Sequence, residues 1–189
     1  MGHRLFLAIK PDIDKETKNV YYRIRKILSG ERVKFYPLEN LMLIIRYLGD
    51  IPTEFLSELN SHIAPVINTT HSFELSVEGV DIYPYDVMPR VLWFRLNHEP
   101  VLENLARRIE QVVKKFSGHE EDFAFYPHVS FARIRFLHNM SVLDEIKKYS
   151  QLQCQAFRVS HILLIESIET NKGNIYKTRN RFALLRDKR

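Results

Sequence analysis

A chain of 189 residues, 45% of them apolar, has enough apolar side chain to build a core, and its sparse Pro and Gly exclude a disordered or collagen-like chain. Lysine and arginine (28) outnumber aspartate and glutamate (23), a net charge of +5 that permits an anionic partner such as RNA or a nucleotide without requiring one. The lone Cys154 excludes an internal disulfide and a cysteine metal cluster, the apolar run at the start is too short for a secretory signal, and no window approaches the ~20 apolar residues of a membrane span, so a soluble cytoplasmic protein is expected.

Leu5 to Ile9 reads as a buried first strand ending at Lys10-Pro11. Asp12 is the expected cap of a helix on which Ile13, Val20, Tyr21, Ile24, Ile27 and Leu28 fall at helical spacing, with Gly30 as its stop. A short strand, Val33 to Tyr36, and a longer one, Leu41 to Tyr47, follow, the second bounded by Gly49-Asp50. A second helix after Pro52-Thr53 carries Phe55, Leu56, Leu59 and Ile63 on one face. Phe73, Leu75 and Val77 alternate with polar residues as in a half-buried strand, and Val91 to Leu96 forms another after the turn-rich Tyr83-Pro84-Tyr85-Asp86. Val101, Leu102, Leu105, Ile109, Val112, Val113 and Phe116 define a third helix stopped by Gly118. Val129 to Ile134 is a strand. A short helix begins at Ser141, with Asp144 placed for a capping box. Strands from Phe157 to Ile165 and from Ile175 to Leu185 close the chain around the turn Asn171-Lys172-Gly173-Asn174. Helices and strands mix without strict β-α-β alternation, which predicts an α+β fold of helices on largely antiparallel sheet.

Chemistry concentrates in Tyr126-Pro127-His128-Val129-Ser130-Phe131-Ala132-Arg133. On a strand Val129 and Phe131 share the core face, so His128 and Ser130 share the other, about 7 Å apart by strand rise. An imidazole that moves a proton beside a hydroxyl that donates to an oxyanion can grip one phosphate.

The whole chain resembles the RNA 2′,3′-cyclic phosphodiesterase family, also called the 2′-5′ RNA ligase family, of the two-histidine phosphoesterases. The segments that carry the likeness are Arg4-Leu5-Phe6-Leu7-Ala8-Ile9, Pro37-Leu38-Glu39-Asn40-Leu41 with Arg46-Tyr47-Leu48-Gly49, Pro89-Arg90-Val91-Leu92-Trp93, Pro127-His128-Val129-Ser130-Phe131-Ala132-Arg133, and Leu164-Ile165-Glu166-Ser167 with Gly173-Asn174-Ile175-Tyr176. The resemblance implies one bilobal α+β domain over residues 1–189, with two pseudosymmetric lobes of largely antiparallel sheet and outer helices around a central cleft. It implies that each lobe supplies one H-x-T/S-x strand, and that two histidines open a cyclic phosphate at an RNA 3′ end, leaving a 2′-phosphate. No metal or other cofactor is implied, and a monomer is the default for the fold.

The first motif departs from the family. Met42 stands where the family has histidine, and Ile44 where it has threonine; neither transfers a proton or donates to phosphate. Alternation puts Met42, Ile44 and Arg46 on the cleft face, making Arg46 a candidate cation for phosphate oxygens but not a general base. The same alternation puts Arg133 on the face away from His128, in a structural role. Tyr126 is a candidate substrate contact, and Tyr126 and Tyr36 are each a candidate acid or base-stacking surface, with an aromatic core residue as the alternative. His3, His62, His71, His98, His119, His138 and His161 have no motif context and no ligand-pair spacing for a metal. The expected protein is an RNA-end cyclic phosphodiesterase of reduced activity, the alternative an inactive relative that binds RNA ends or nucleotides in the old cleft.

Overall fold

The computed structural model describes residues 2–84, 88–117, 125–171 and 173–186. Tyr85, Asp86, Gly118, His119 and Lys172 therefore lie outside the described residues. Among the described residues, ten strands and four α-helices run in the order β1 (Gly2–Ile9), α1 (Lys15–Ile27), β2 (Arg32–Phe35), β3 (Leu43–Pro52), α2 (Leu56–Asn68), β4 (Phe73–Leu75), β5 (Val77–Tyr83), β6 (Val91–Leu96), α3 (Pro100–Ser117), β7 (His128–Phe136), α4 (Val142–Lys147), β8 (Phe157–Val159), β9 (His161–Thr170) and β10 (Gly173–Ala183).

The main sheet has the order β10-β9-β1-β3-β7-β6-β5, with β2 also pairing β7, and every pairing is antiparallel. The fold is α+β. Its two halves meet where β3 and β7 touch, at the single pair Leu43↔Val129. β1, β9 and β10 extend the sheet on one side, and β6 and β5 on the other. Each half sends its first helix under its partner. Tyr21 of α1 packs edge-on against Phe131 of β7, and α3 lies against β3. The later helices complete each layer, α2 against α3 and α4 against α1.

All four helices cover one face, where a continuous core forms from Leu5, Leu7 and Ile9 of β1, Leu43 of β3, Val129 and Phe131 of β7, and the buried stripes of the helices. The opposite face is open. There Phe6, Ala8 and Ile165 form a small separate cluster on which Met42, Ile44 and Leu163 pack.

Several boundaries differ from expectation. Asp14, not Asp12, caps α1: its carboxylate accepts the Thr17 amide at 2.8 Å, the N3 position that a capping side chain reaches. Phe55 is 46% exposed because it ends a 3₁₀ turn, Thr53–Phe55, instead of joining the α2 stripe of Leu59, Ile63 and Ile67. β3 passes through Gly49-Asp50 because Gly49 takes a positive φ of 75°, which continues pairing past an irregular register. Ser141 makes no side-chain cap; its hydroxyl donates to Asn139, and Asp144 pairs with Lys147. The expected Phe73-to-Val77 and Phe157-to-Ile165 strands each divide, at Ser76 and Ser160, because β4 and β8 leave the main sheet to pair with each other.

Candidate active site

His128 opens β7 directly after Pro127 and projects from the open face. Its Nδ1 donates to the Tyr126 carbonyl at 2.7 Å. That bond keeps the proton on Nδ1 and leaves Nε2 as the position that can gain or lose one. The ring packs on Trp93 of β6, with centroids 4.3 Å apart, and Tyr83 stacks on Trp93 at 5.2 Å. Burial lowers the His128 pKa below its ordinary 6.5, and the bond to the Tyr126 carbonyl opposes the shift only in part. A neutral imidazole, ready to accept a proton, is the form this environment favours.

Ser130 occupies the next position on the same face, half-buried and paired with Trp93. The residue after it on this face is Arg133, which corrects the expectation from alternation. β7 carries an irregularity against β6: Trp93 pairs with Ser130, Leu92 with Ala132 and Val91 with Arg133, so one extra residue of β7 sits between the first two pairs. The bulge turns Phe131 and Ala132 both into the core and returns Arg133, exposed, to the side of His128 and Ser130. Lys34 of β2 pairs with Arg133 and adds a second exposed cation there.

Arg95 pairs with His128 across β6 and β7, but its guanidinium is engaged elsewhere. It donates to both Asp81 oxygens at 2.9 and 3.0 Å and to the Ser150 carbonyl at 2.8 Å. It ties β5, β6 and the chain after α4 together beside the site.

Antiparallel pairing at Leu43↔Val129 sets Ile44 beside His128 and Met42 beside Ser130 on the open face. Side chains opposed in this way have Cβ atoms about 4.5–5.5 Å apart. Both are half-buried against Phe6, Ala8 and Ile165. The sequence-predicted positions Met42, Ile44, His128 and Ser130 thus come together on one surface, polar on its β7 side and apolar on its β3 side.

Arg46 does not join them. β3 has an irregularity between Ile44, which pairs with Ala8, and Arg46, which pairs with Leu7. Ile45 is the extra residue, and it turns Arg46 to the helix-covered face. There Arg46 is 8% exposed and its Nε lies 2.8 Å from Glu110 of α3. The expected substrate contact is a structural ion pair. Tyr126 is 72% exposed, and its carbonyl, not its ring, holds His128. Tyr36 accepts a hydrogen bond from the Tyr21 hydroxyl through its carbonyl at 2.8 Å.

Trp93 and Tyr83 escaped the sequence reading. The signal for Trp93 was the alternation of Val91, Trp93 and Arg95 on a strand whose other face is Leu92, Phe94 and Leu96: a tryptophan on the non-core face of a strand beside a motif histidine.

A model of the 2′-5′ RNA ligase superfamily matches residues 35–171. A protein of Archaeoglobus fulgidus named RNA 2′,3′-cyclic phosphodiesterase is 34% identical over 92% of this chain and 96% of its own. One of the same name from Methanocaldococcus jannaschii is 27% identical over 92% and 96%. Among solved structures, TT0787 of Thermus thermophilus is similar at a TM-score of 0.77 and 21% identity, over 95% of this chain and 97% of its own. Escherichia coli LigT complexed with 3′-AMP is similar at 0.72 and 20%, over 97% and 99%. These two likenesses concern the fold.

Proposed function

The chain belongs to the 2′-5′ RNA ligase superfamily, and on that basis we propose that it hydrolyses a 2′,3′-cyclic phosphate at an RNA 3′ end to a 2′-phosphate, slowly, with His128 as its one proton-transferring side chain. The observation that carries this reading is the His128 Nδ1 bond to the Tyr126 carbonyl, which leaves Nε2 presented on the open face one position from Ser130.

In the proposed step a water oxygen bonds to phosphorus and the bond from phosphorus to the ribose 3′ oxygen breaks. Water loses a proton and the departing 3′ oxygen gains one. His128 Nε2 serves one of these transfers, and solvent serves the other. Ser130 Oγ donates to a non-bridging oxygen, and the exposed Arg133 cation offsets charge on the phosphoryl group. Met42 and Ile44 offer no second acid or base. A positioned acid–base group contributes about 10²–10⁴-fold, so the missing one is the reason for slow turnover.

The test is hydrolysis of a short RNA ending in a 2′,3′-cyclic phosphate. His128→Ala is expected to lower the natural rate further, and Met42→His with Ile44→Thr to raise it. Fast natural turnover that survives His128→Ala would overturn the assignment. The apolar Met42–Ile44 side supports a second reading, an RNA-end-binding protein without turnover; saturable binding of the same RNA with no hydrolysis would select it.

A further inference from the structure

The open face continues well beyond His128, and its composition changes in a regular way. At the level of His128 the strand pairs run Ile44↔Ala8, Ala8↔Leu163 and Leu163↔Arg181 across β3, β1, β9 and β10. Four inter-strand steps of about 4.8 Å put Arg181 roughly 19 Å from His128. Arg181 is exposed, and its Nη2 donates to His161 Nδ1 at 3.1 Å. The Ser160 hydroxyl approaches the same nitrogen at 2.7 Å. With Nδ1 accepting, Nε2–H of His161 is left as a donor beside the Arg181 guanidinium. Arg186 is close enough to add its field to the same imidazole.

Beside the line that joins these polar ends, two to four residues along the strands, the face is apolar and aromatic. Tyr47 and Tyr176 flank Phe6, with ring centroids 5.8 and 5.9 Å from it, and remain 63% and 37% exposed. The partly buried Met42, Ile44 and Leu163 complete the surface over the fully buried Ala8. Exposed rings set beside cations on a sheet are the arrangement by which proteins hold single strands, rings stacking on bases and cations meeting phosphates.

We propose that this face of β3, β1, β9 and β10 is a track for the single-stranded RNA upstream of the cyclic end, with Tyr47 and Tyr176 stacking bases and Arg181 with His161 contacting a backbone phosphate. The proposal rests on the reading of the His128 side as the cyclic-phosphate site. It assigns a use to the half of the surface where Met42 and Ile44 place no acid or base beside His128: binding, not chemistry. It also makes the ligand a polynucleotide, because one nucleotide does not span the distance from His128 to Arg181.

The experiment compares the affinity of a mononucleoside 2′,3′-cyclic phosphate with that of an unstructured RNA of about six nucleotides carrying the same end. The longer RNA is expected to bind at least about tenfold more tightly. Tyr47→Ala or Tyr176→Ala is expected to cut that advantage by about fivefold or more. Arg181→Ala is expected to cut it and to flatten the dependence of log affinity on log salt by about 0.7. Lys18→Ala, an equal loss of charge on the exposed face of α1, is expected to leave the advantage intact. If the mononucleotide binds and the longer RNA gains nothing, or if Arg181→Ala and both tyrosine variants keep the full advantage, the track is overturned while the cyclic-phosphate reading stands. If neither ligand binds the natural protein, both fall. Matched thermal melting of variants and natural protein separates lost contacts from lost fold.

Discussion

The indole of Trp93 lies against the imidazole of His128, ring centroids 4.3 Å apart and planes inclined by 40°, so that one face of the proposed catalytic ring is shielded from water. Burial disfavours the imidazolium and is the chief cause of the lowered His128 pKa, and the indole supplies part of that burial.

A pH profile follows with a definite sign. If Nε2 accepts the proton, the acid limb of kcat/KM falls below pH 6.5, the ordinary value for histidine. Trp93→Ala admits water and moves that limb upward, toward 6.5. The linked stability runs the same way. The unfolded chain takes up this proton at higher pH than the native one, so the contribution is present above the unfolded value and lost as pH falls through the native value. A limb that stays in place or moves downward in the variant would count against the shielding.

In the proposed step Ser130 and Arg133 share the phosphate, and the two substitutions are expected to separate in kinetics. Ser130→Ala removes a donor aimed at developing charge and is expected to lower kcat by about 10²-fold, with Ser130→Thr retaining much of the rate. Arg133→Gln removes an exposed cation from the same face and is expected to raise KM by about tenfold with a smaller change in kcat. Steady-state kinetics on the cyclic-phosphate RNA read both.

The buried pair of Arg46 and Glu110 joins β3 to α3 on the helix-covered face, away from His128. Arg46→Ala or Glu110→Ala strands one buried charge and is expected to cost about 3–5 kcal/mol. Replacing both, Arg46→Met with Glu110→Leu, removes the charges together and is expected to recover most of that loss. Urea denaturation of the variants measures it, and near-zero single-variant costs would show the pair to be solvated.

Gly79 is required by a close approach. A Cβ there would lie 2.1 Å from the Ser150 carbonyl oxygen and 2.8 Å from Arg95 Nη2. Gly79→Ala therefore pushes the chain after α4 away from β5, at an expected cost of about 1–3 kcal/mol in thermal or urea unfolding.

Three features are legible in the amino-acid sequence alone: helices and strands mix in an α+β order, His128 and Ser130 share a strand face, and the segment around Met42 and Ile44 is apolar on both sides. Each is a local property. A two-residue step along a strand, or a stripe at helical spacing, can be read wherever the backbone stays regular. The faces of the two arginines come from tertiary structure. Alternation counted from Met42 sends Arg46 to the open face, and counted from His128 sends Arg133 away from it. One extra residue in β3 and one in β7 reverse both. A bulge arises from the match between neighbouring strands, β1 against β3 and β6 against β7, and these partners are distant in the chain, so no local count contains it. For the same reason Trp93 became part of the site only when β6 was laid beside β7, and Arg181, far from any motif, reached the level of His128 only through the pairing of β10, β9, β1 and β3 across one sheet.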